Sequence, residues 1–148
     1  MGCDIHAYAE VRTPHGWGAS DLDVFDGRNY GIFGFFADVR NYSHSPVIAE
    51  PRGLPDDVSS AIRKEGDWTD AHSHSWLTLA ELLAYDYDQT FWDRRIERDG
   101  NGAALAEEGE GEHLPLREFL GTWYFTELDR LAALGAPEDV RIVFWFDN

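Results

Sequence analysis

The chain has 148 residues, one domain's worth, because two separate cores would each be marginal at that size. Hydrophobic residues make up 43% and aromatics 14%, enough apolar material for a packed core and too much for a disordered chain. Asp and Glu number 28 against 12 Lys and Arg, a net charge of -16, which excludes a general nucleic-acid binder and disfavours docking on an anionic membrane.

Cys3 is the only cysteine, so no intrachain disulfide is available and a reducing, cytoplasmic setting is expected. No signal peptide and no apolar run near the ~20 residues of a membrane helix is present. His6 stands where a myristoylation signal requires Ser or Thr.

Cys3 to Val11 alternate, with Ile5, Ala7, Ala9 and Val11 apolar against Asp4, His6, Tyr8 and Glu10, the period of a half-buried strand. Thr13-Pro14-His15-Gly16 reads as a turn, with a second short strand from Trp17 and a polar loop over Asp21 to Arg28. Gly31 to Arg40 carries Ile32, Phe33, Phe35, Phe36 and Val39 and reads as a short buried helix entered from Asn29. Pro46, Pro51 and Pro55 make Asn41 to Pro55 an extended, irregular connection.

Asp56 is placed to cap a helix through about Glu65, stopped by Gly66. Asp67 to Trp76 reads as a polar loop. Thr78 and Glu81 form a capping box flanked by Leu77 and Leu82 at staple positions, launching a helix to about Tyr85 or Tyr87. Asp99-Gly100-Asn101-Gly102 reads as a turn, and Glu107 to Glu112 as a solvated acidic segment. Leu120, Tyr124, Leu128 and Leu131 form one stripe of a long amphipathic helix over Leu116 to Leu134. Val140 to Asp147 is apolar on both faces, as in a strand inside a sheet. The expected fold is a single α+β domain, its sheet containing the N- and C-terminal strands with the helices packed on one face.

Three polar clusters could carry chemistry. Asp70, His72 and His74 are spaced by two, so in extended backbone they point the same way. Imidazole and carboxylate together suit Zn²⁺, Mn²⁺ or Fe²⁺, and a neutral imidazole can act as a general base. The alternative is a hydrogen-bonded loop that caps the Thr78 helix. Asp4 and His6 share the polar face of the first strand and could join the same cation, or form a solvated strand face. Arg28, Asn29 and Tyr30, then Arg40 and Asn41, and finally Arg52 in a Pro-Gly loop could grip a phosphate or carboxylate by bidentate hydrogen bonds. The alternative is that each Arg pairs with a local Asp.

MGCDIH at 1–6, DGRNY at 26–30, DVRN at 38–41, PRGLP at 51–55 and HSHSWL at 72–77 together resemble a family of small proteins encoded mainly by tailed bacteriophages. The resemblance covers about the first half of the chain. It implies a viral origin and expression in the bacterial host cytoplasm, and it brings no catalytic residues to carry over. It singles out the same three clusters that chemistry picks.

The functional expectation is a phage accessory protein acting as a metal-assisted hydrolase on a small phosphorylated or nucleotide-like ligand. Asp4, His6, Asp70, His72 and His74 would serve a divalent transition metal, with His72 and His74 catalytic. Arg28, Asn29, Tyr30, Arg40, Asn41 and Arg52 would hold the anion. Two alternatives stay open: a non-catalytic nucleotide sponge that needs only the Arg set, and an acidic protein-interaction module that mimics nucleic acid. Countering a host defence signal would suit either of the first two.

Overall fold

A computed structural model describes residues 2–97, 103–107 and 110–148. In chain order these form β1 (Asp4–Thr13), β2 (Gly16–Asp23), α1 (Tyr30–Ala37), α2 (Ser60–Glu65), β3 (His72–Thr78) and α3 (Leu79–Ala84). There follow β4 (Thr90–Asp93), β5 (Arg95–Glu97), β6 (Ala103–Leu105), β7 (Glu112–Pro115), α4 (Leu116–Ala132), a 3-10 turn (Pro137–Asp139) and β8 (Val140–Asp147). The expected turn over Asp99 to Gly102 lies outside the described residues, as do Glu108 and Gly109 of the acidic segment.

The chain divides into two compact units. The first comprises residues 1–28, 51–85 and 123–148; the second comprises 29–50 and 86–122. The first is built on an antiparallel sheet of order β2-β1-β8-β3, so the fold is α+β with the N- and C-terminal strands side by side. β8 is buried along nearly its whole length, with Val140, Ile142, Val143, Phe144, Trp145 and Phe146 all at 0% exposure. A strand apolar on both faces needs cover on both and a ladder partner on each edge, since its backbone N–H and C=O groups cannot reach water. β1 takes one edge in continuous register from Asp4↔Asp147 to Val11↔Val140, and β3 takes the other.

That demand explains the first correction. The His- and Ser-rich segment expected as a loop is a strand from His72, because backbone pairing is indifferent to how polar the side chains are. The segment keeps one irregularity, a register shift between His72 and Ser75 with Ser73 at φ 56. Asp70 stays outside the strand, on an exposed turn.

Alternation along β8 assigns the faces. Trp145 and Val143 share one face with Val58 and Ile62, and Tyr8, Leu54, Ala71 and Trp76 pack against that cluster. Gly66 ends α2 directly over the indole of Trp145, where an added Cβ would approach the ring to 3.2 Å. On the opposite face Phe144, Phe146, Ile142, Ile5, Ala9 and Leu77 are buried as well, so cover lies on both sides rather than on one.

The remaining helical expectations hold in outline and shift at their ends. α2 begins at Ser60 after Ser59, not after Asp56, which sits in a turn following Pro55. α3 starts at the full capping box of Thr78 and Glu81, with Leu77 and Leu82 buried beside it, and stops at Ala84. The Leu116–Leu134 pattern does not give one continuous helix: Gly121 adopts φ 83, ψ 172 and interrupts α4. Glycine tolerates that conformation because no Cβ meets the backbone. β2 runs on to Asp23, and Val24 and Phe25 of the expected polar loop are buried, Phe25 donating its N–H to Glu127.

In the second unit α1 is apolar all round and correspondingly buried all round, its start capped by the Asn29 side chain on the Ile32 N–H at 3.1 Å. Two short antiparallel pairs, β4 with β7 and β5 with β6, complete that unit. Phe35 meets Tyr87, and Phe91 meets Phe119 edge-on.

One charged pair lies within the sheet itself. Glu10 and Arg141 are cross-strand partners, with side chains 0% and 4% exposed and Arg141 Nε donating to Glu10 Oε1 at 2.7 Å. The other Glu10 oxygen accepts the Ser59 N–H at 2.8 Å. Glu10→Ala leaves Arg141 without its buried counter-charge and should cost about 3 kcal/mol in urea denaturation. The double variant with Arg141→Met should regain much of that loss. Thr78→Ala removes the cap of α3 and should lower stability by about 1 kcal/mol in the same assay.

Candidate functional site

The two anticipated ligand sets meet, but against each other. Asp4, expected to face a metal, forms a bidentate pair with Arg28, expected to face an anion, with both bonds at 3.0 Å. The hydrogen bonds from Arg28 hold the Asp4 carboxyl below the usual carboxylate range. His6 Nε2 lies 2.6 Å from Oδ2 of Asp147, the β8 residue two beyond its own register partner Trp145.

The three histidines do not converge. His6 and His74 stack on Trp145, with ring centroids 6.2 and 5.6 Å away, from the strands on either side of it. His72 stacks on Phe146 at 6.2 Å. Trp145 and Phe146 are consecutive in β8 and point to opposite faces, so His72 and His74 are parted by the sheet. The register shift at Ser73 defeats the expected same-side alternation. His74 donates from Nε2 to the Gly66 carbonyl at 2.9 Å, and His72 contacts Ser73 Oγ and Asn148 Oδ1. Among the described residues no group of three or more His, Cys, Asp or Glu is arranged to hold a metal ion.

The expected anion clamp is likewise distributed. Asn29 is the cap of α1, and Asn41 braces its own loop by bonds to Asp38 and to Ser45. Arg40 belongs to the second unit, where its guanidinium lies 5.7 Å from the Tyr30 ring and donates to the Tyr42 hydroxyl. Arg52 belongs to the first, paired with Glu81 at 3.0 and 2.6 Å.

Arg52 nevertheless opens onto a site the motifs did not reveal. It lines an open cleft of about 560 Å³ together with Arg12, Trp17, Trp76 and Arg141. The five side chains alternate as cation and ring. Arg12 lies 4.6 Å and Arg141 4.0 Å from the Trp17 ring centre; Arg141 lies 5.8 Å and Arg52 4.8 Å from that of Trp76. Such contacts hold a guanidinium in place without consuming its N–H donors. Leu54 and Pro55 supply an apolar wall, and Asp56 and Asp57 the acidic rim.

The strands dictate this arrangement. Arg141 on β8 is flanked by Glu10 on β1 and Thr78 on β3, while Trp17 comes from β2 opposite Arg12. The Pro51–Pro55 loop is tied to β3 through Arg52 N–H to Ser75 Oγ and Gly53 N–H to the His74 carbonyl. Within the cleft Arg141 donates from Nη1 to Asp57 at 2.9 Å, and its buried Nη2 has no hydrogen-bond partner among the described residues. Three arginines face two aspartates here, against a net charge of -16 for the whole chain. Glu10, Glu81 and Asp139 pair with Arg141, Arg52 and Arg12 in turn, so each arginine of the cleft has a carboxylate partner. A charged residue in an otherwise apolar strand was the available clue: Arg141 among Val140, Ile142 and Val143, with Glu10 as its complement on β1.

Hydrogen bonds from Arg141 and Arg52 hold Asp57 and Glu81, like Asp4, below the usual carboxylate range. A carboxyl depressed on folding stabilises the fold fully above its unfolded pKa, near 4, and loses that contribution as pH falls through the folded value. The denaturation midpoint should therefore stay level from about pH 7 to 5 and fall below about pH 4. Glu81→Gln should flatten that acid limb.

Compared with protein-family models, curated proteins and solved structures, the chain matches none.

Proposed function

We propose that the protein binds a small anionic ligand, phosphorylated or nucleotide-like, in the arginine–tryptophan cleft, and acts by holding it rather than by turning it over. The observation that carries this reading is Arg141: a guanidinium 4% exposed at the wall of an open cleft, with one donor unused among the described residues. A buried donor without a partner forfeits about 1–3 kcal/mol. Arg12 and Arg52 add charge on either side, and Leu54 and Pro55 offer an apolar surface to a planar ring.

Binding is favoured over metal-assisted hydrolysis because His6, His72 and His74 each engage a different partner, and His72 lies on the opposite face of the sheet from the other two. Among the described residues no helix is long and apolar enough to cross a membrane. In a host cytoplasm, the setting that the phage-like motifs imply, such a protein would sequester a nucleotide signal.

The test is titration calorimetry with inorganic phosphate, pyrophosphate and nucleoside monophosphates, followed by denaturation and chromatography of what is released. Intact ligand is expected. Arg52→Ala should weaken binding by about ten- to a hundredfold, the loss of one charge-assisted hydrogen bond. Released product of cleavage would restore the hydrolase, and full affinity in Arg52→Ala would remove the cleft from consideration.

A further inference from the structure

Two carboxylates serve one arginine in the cleft, and they differ in kind. Glu10 is fully buried, is the cross-strand partner of Arg141 and is held a second time by the Ser59 N–H. Its charge alone balances the guanidinium. Asp57 is 66% exposed, lines the cleft, and sits on the two-residue turn after Pro55, bonded to Arg141 through Nη1 only.

We propose that Asp57 marks the anion subsite of the cleft, and that the phosphoryl group of a ligand enters by displacing its carboxylate from Arg141. This rests on the binding function proposed above and names the chemistry of the group bound. Exchange of one anion for another keeps a counter-charge beside Arg141, and Glu10 stays paired with it throughout, so no buried cation is stranded at any stage. The displaced Asp57 swings into water from an exposed turn, while Glu10 stays in place and keeps the sheet intact. A phosphoryl group offers three acceptor oxygens where the carboxylate offers two, and it takes over the Nη1 donor that Asp57 vacates. Asp57 thereby acts as a tethered competitor that rejects weak or singly bonded anions.

Asp56 provides the control, because it lines the same cleft on the same turn but has no side-chain bond to Arg141 among the described residues. Asp57→Asn and Asp56→Asn change the net charge equally. Titration with inorganic phosphate and with AMP should show about tenfold tighter binding for Asp57→Asn and little change for Asp56→Asn. Asp57→Ser, which keeps a turn-forming residue, should behave as Asp57→Asn does. Adenosine, which lacks the phosphoryl group, should bind all three variants and the parent alike.

Equal gains from Asp56→Asn and Asp57→Asn would overturn the proposal in favour of bulk charge. No gain in Asp57→Asn, with Arg52→Ala still weakening the parent, would overturn the subsite and leave the binding function standing. No phosphate or AMP bound by the parent or by Asp57→Asn would overturn both.

Discussion

The pairing of Glu10 with Arg141 is the constraint from which the first unit is organised. A strand as apolar as β8 is stable only at the centre of a sheet, yet it carries a guanidinium that cannot be left alone there. The cost is met by a carboxylate directly opposite on β1, which ties the register of the two terminal strands to one ion pair. A slip of one residue would turn Glu10 away and expose β1's apolar side together. The same guanidinium then reaches between Trp17 and Trp76 and so draws β2 and β3 into a common wall. Fold and cleft thus share a single charged group, and the ion pair lends specificity as well as stability.

On the same face of the sheet, Trp145 plays the corresponding role for the histidines. Its indole is fully buried, with His6 and His74 stacked from the neighbouring strands and Gly66 closing over it. These imidazoles are part of how the sheet is covered, and their polar atoms are engaged locally by Asp147 and the Gly66 carbonyl. Histidines that look like a ligand set in one dimension can be packing elements in three. The arginines show the reverse. Arg12 and Arg141, without any motif around them, line the candidate cleft because strand pairing brings them to one end of the sheet.

Much of the fold was legible in local pattern. The alternation of β1, the two-sided apolar run of β8, the Thr78–Glu81 capping box and the apolar α1 after Asn29 are each decided by neighbours within a turn or a strand. The misreadings have a common cause. His72 to Thr78 is a strand because β8 needs a second edge partner, a requirement set more than sixty residues away. Gly121 interrupts α4 although the apolar stripe passes across it, since spacing is blind to a glycine that adopts φ 83. Within the candidate site, only Arg52 of the cleft was named from its motif. Trp17 and Arg141 were read as strand residues, Trp76 as the end of a polar loop, and Asp57 as part of a helix start.

The sequence by itself determined the placing of the helices, the pairing of both terminal strands in one sheet and the acidic character of the chain. Those follow from periodicity, caps and net charge, which are local or additive. The tertiary structure alone decided which polar groups face one another: that Asp4 and Arg28 cancel, that His72 and His74 are parted by the sheet, and that three arginines and two tryptophans share a wall. Those outcomes depend on register and on a single irregularity at Ser73, and a shift of one residue reverses the face on which every side chain appears.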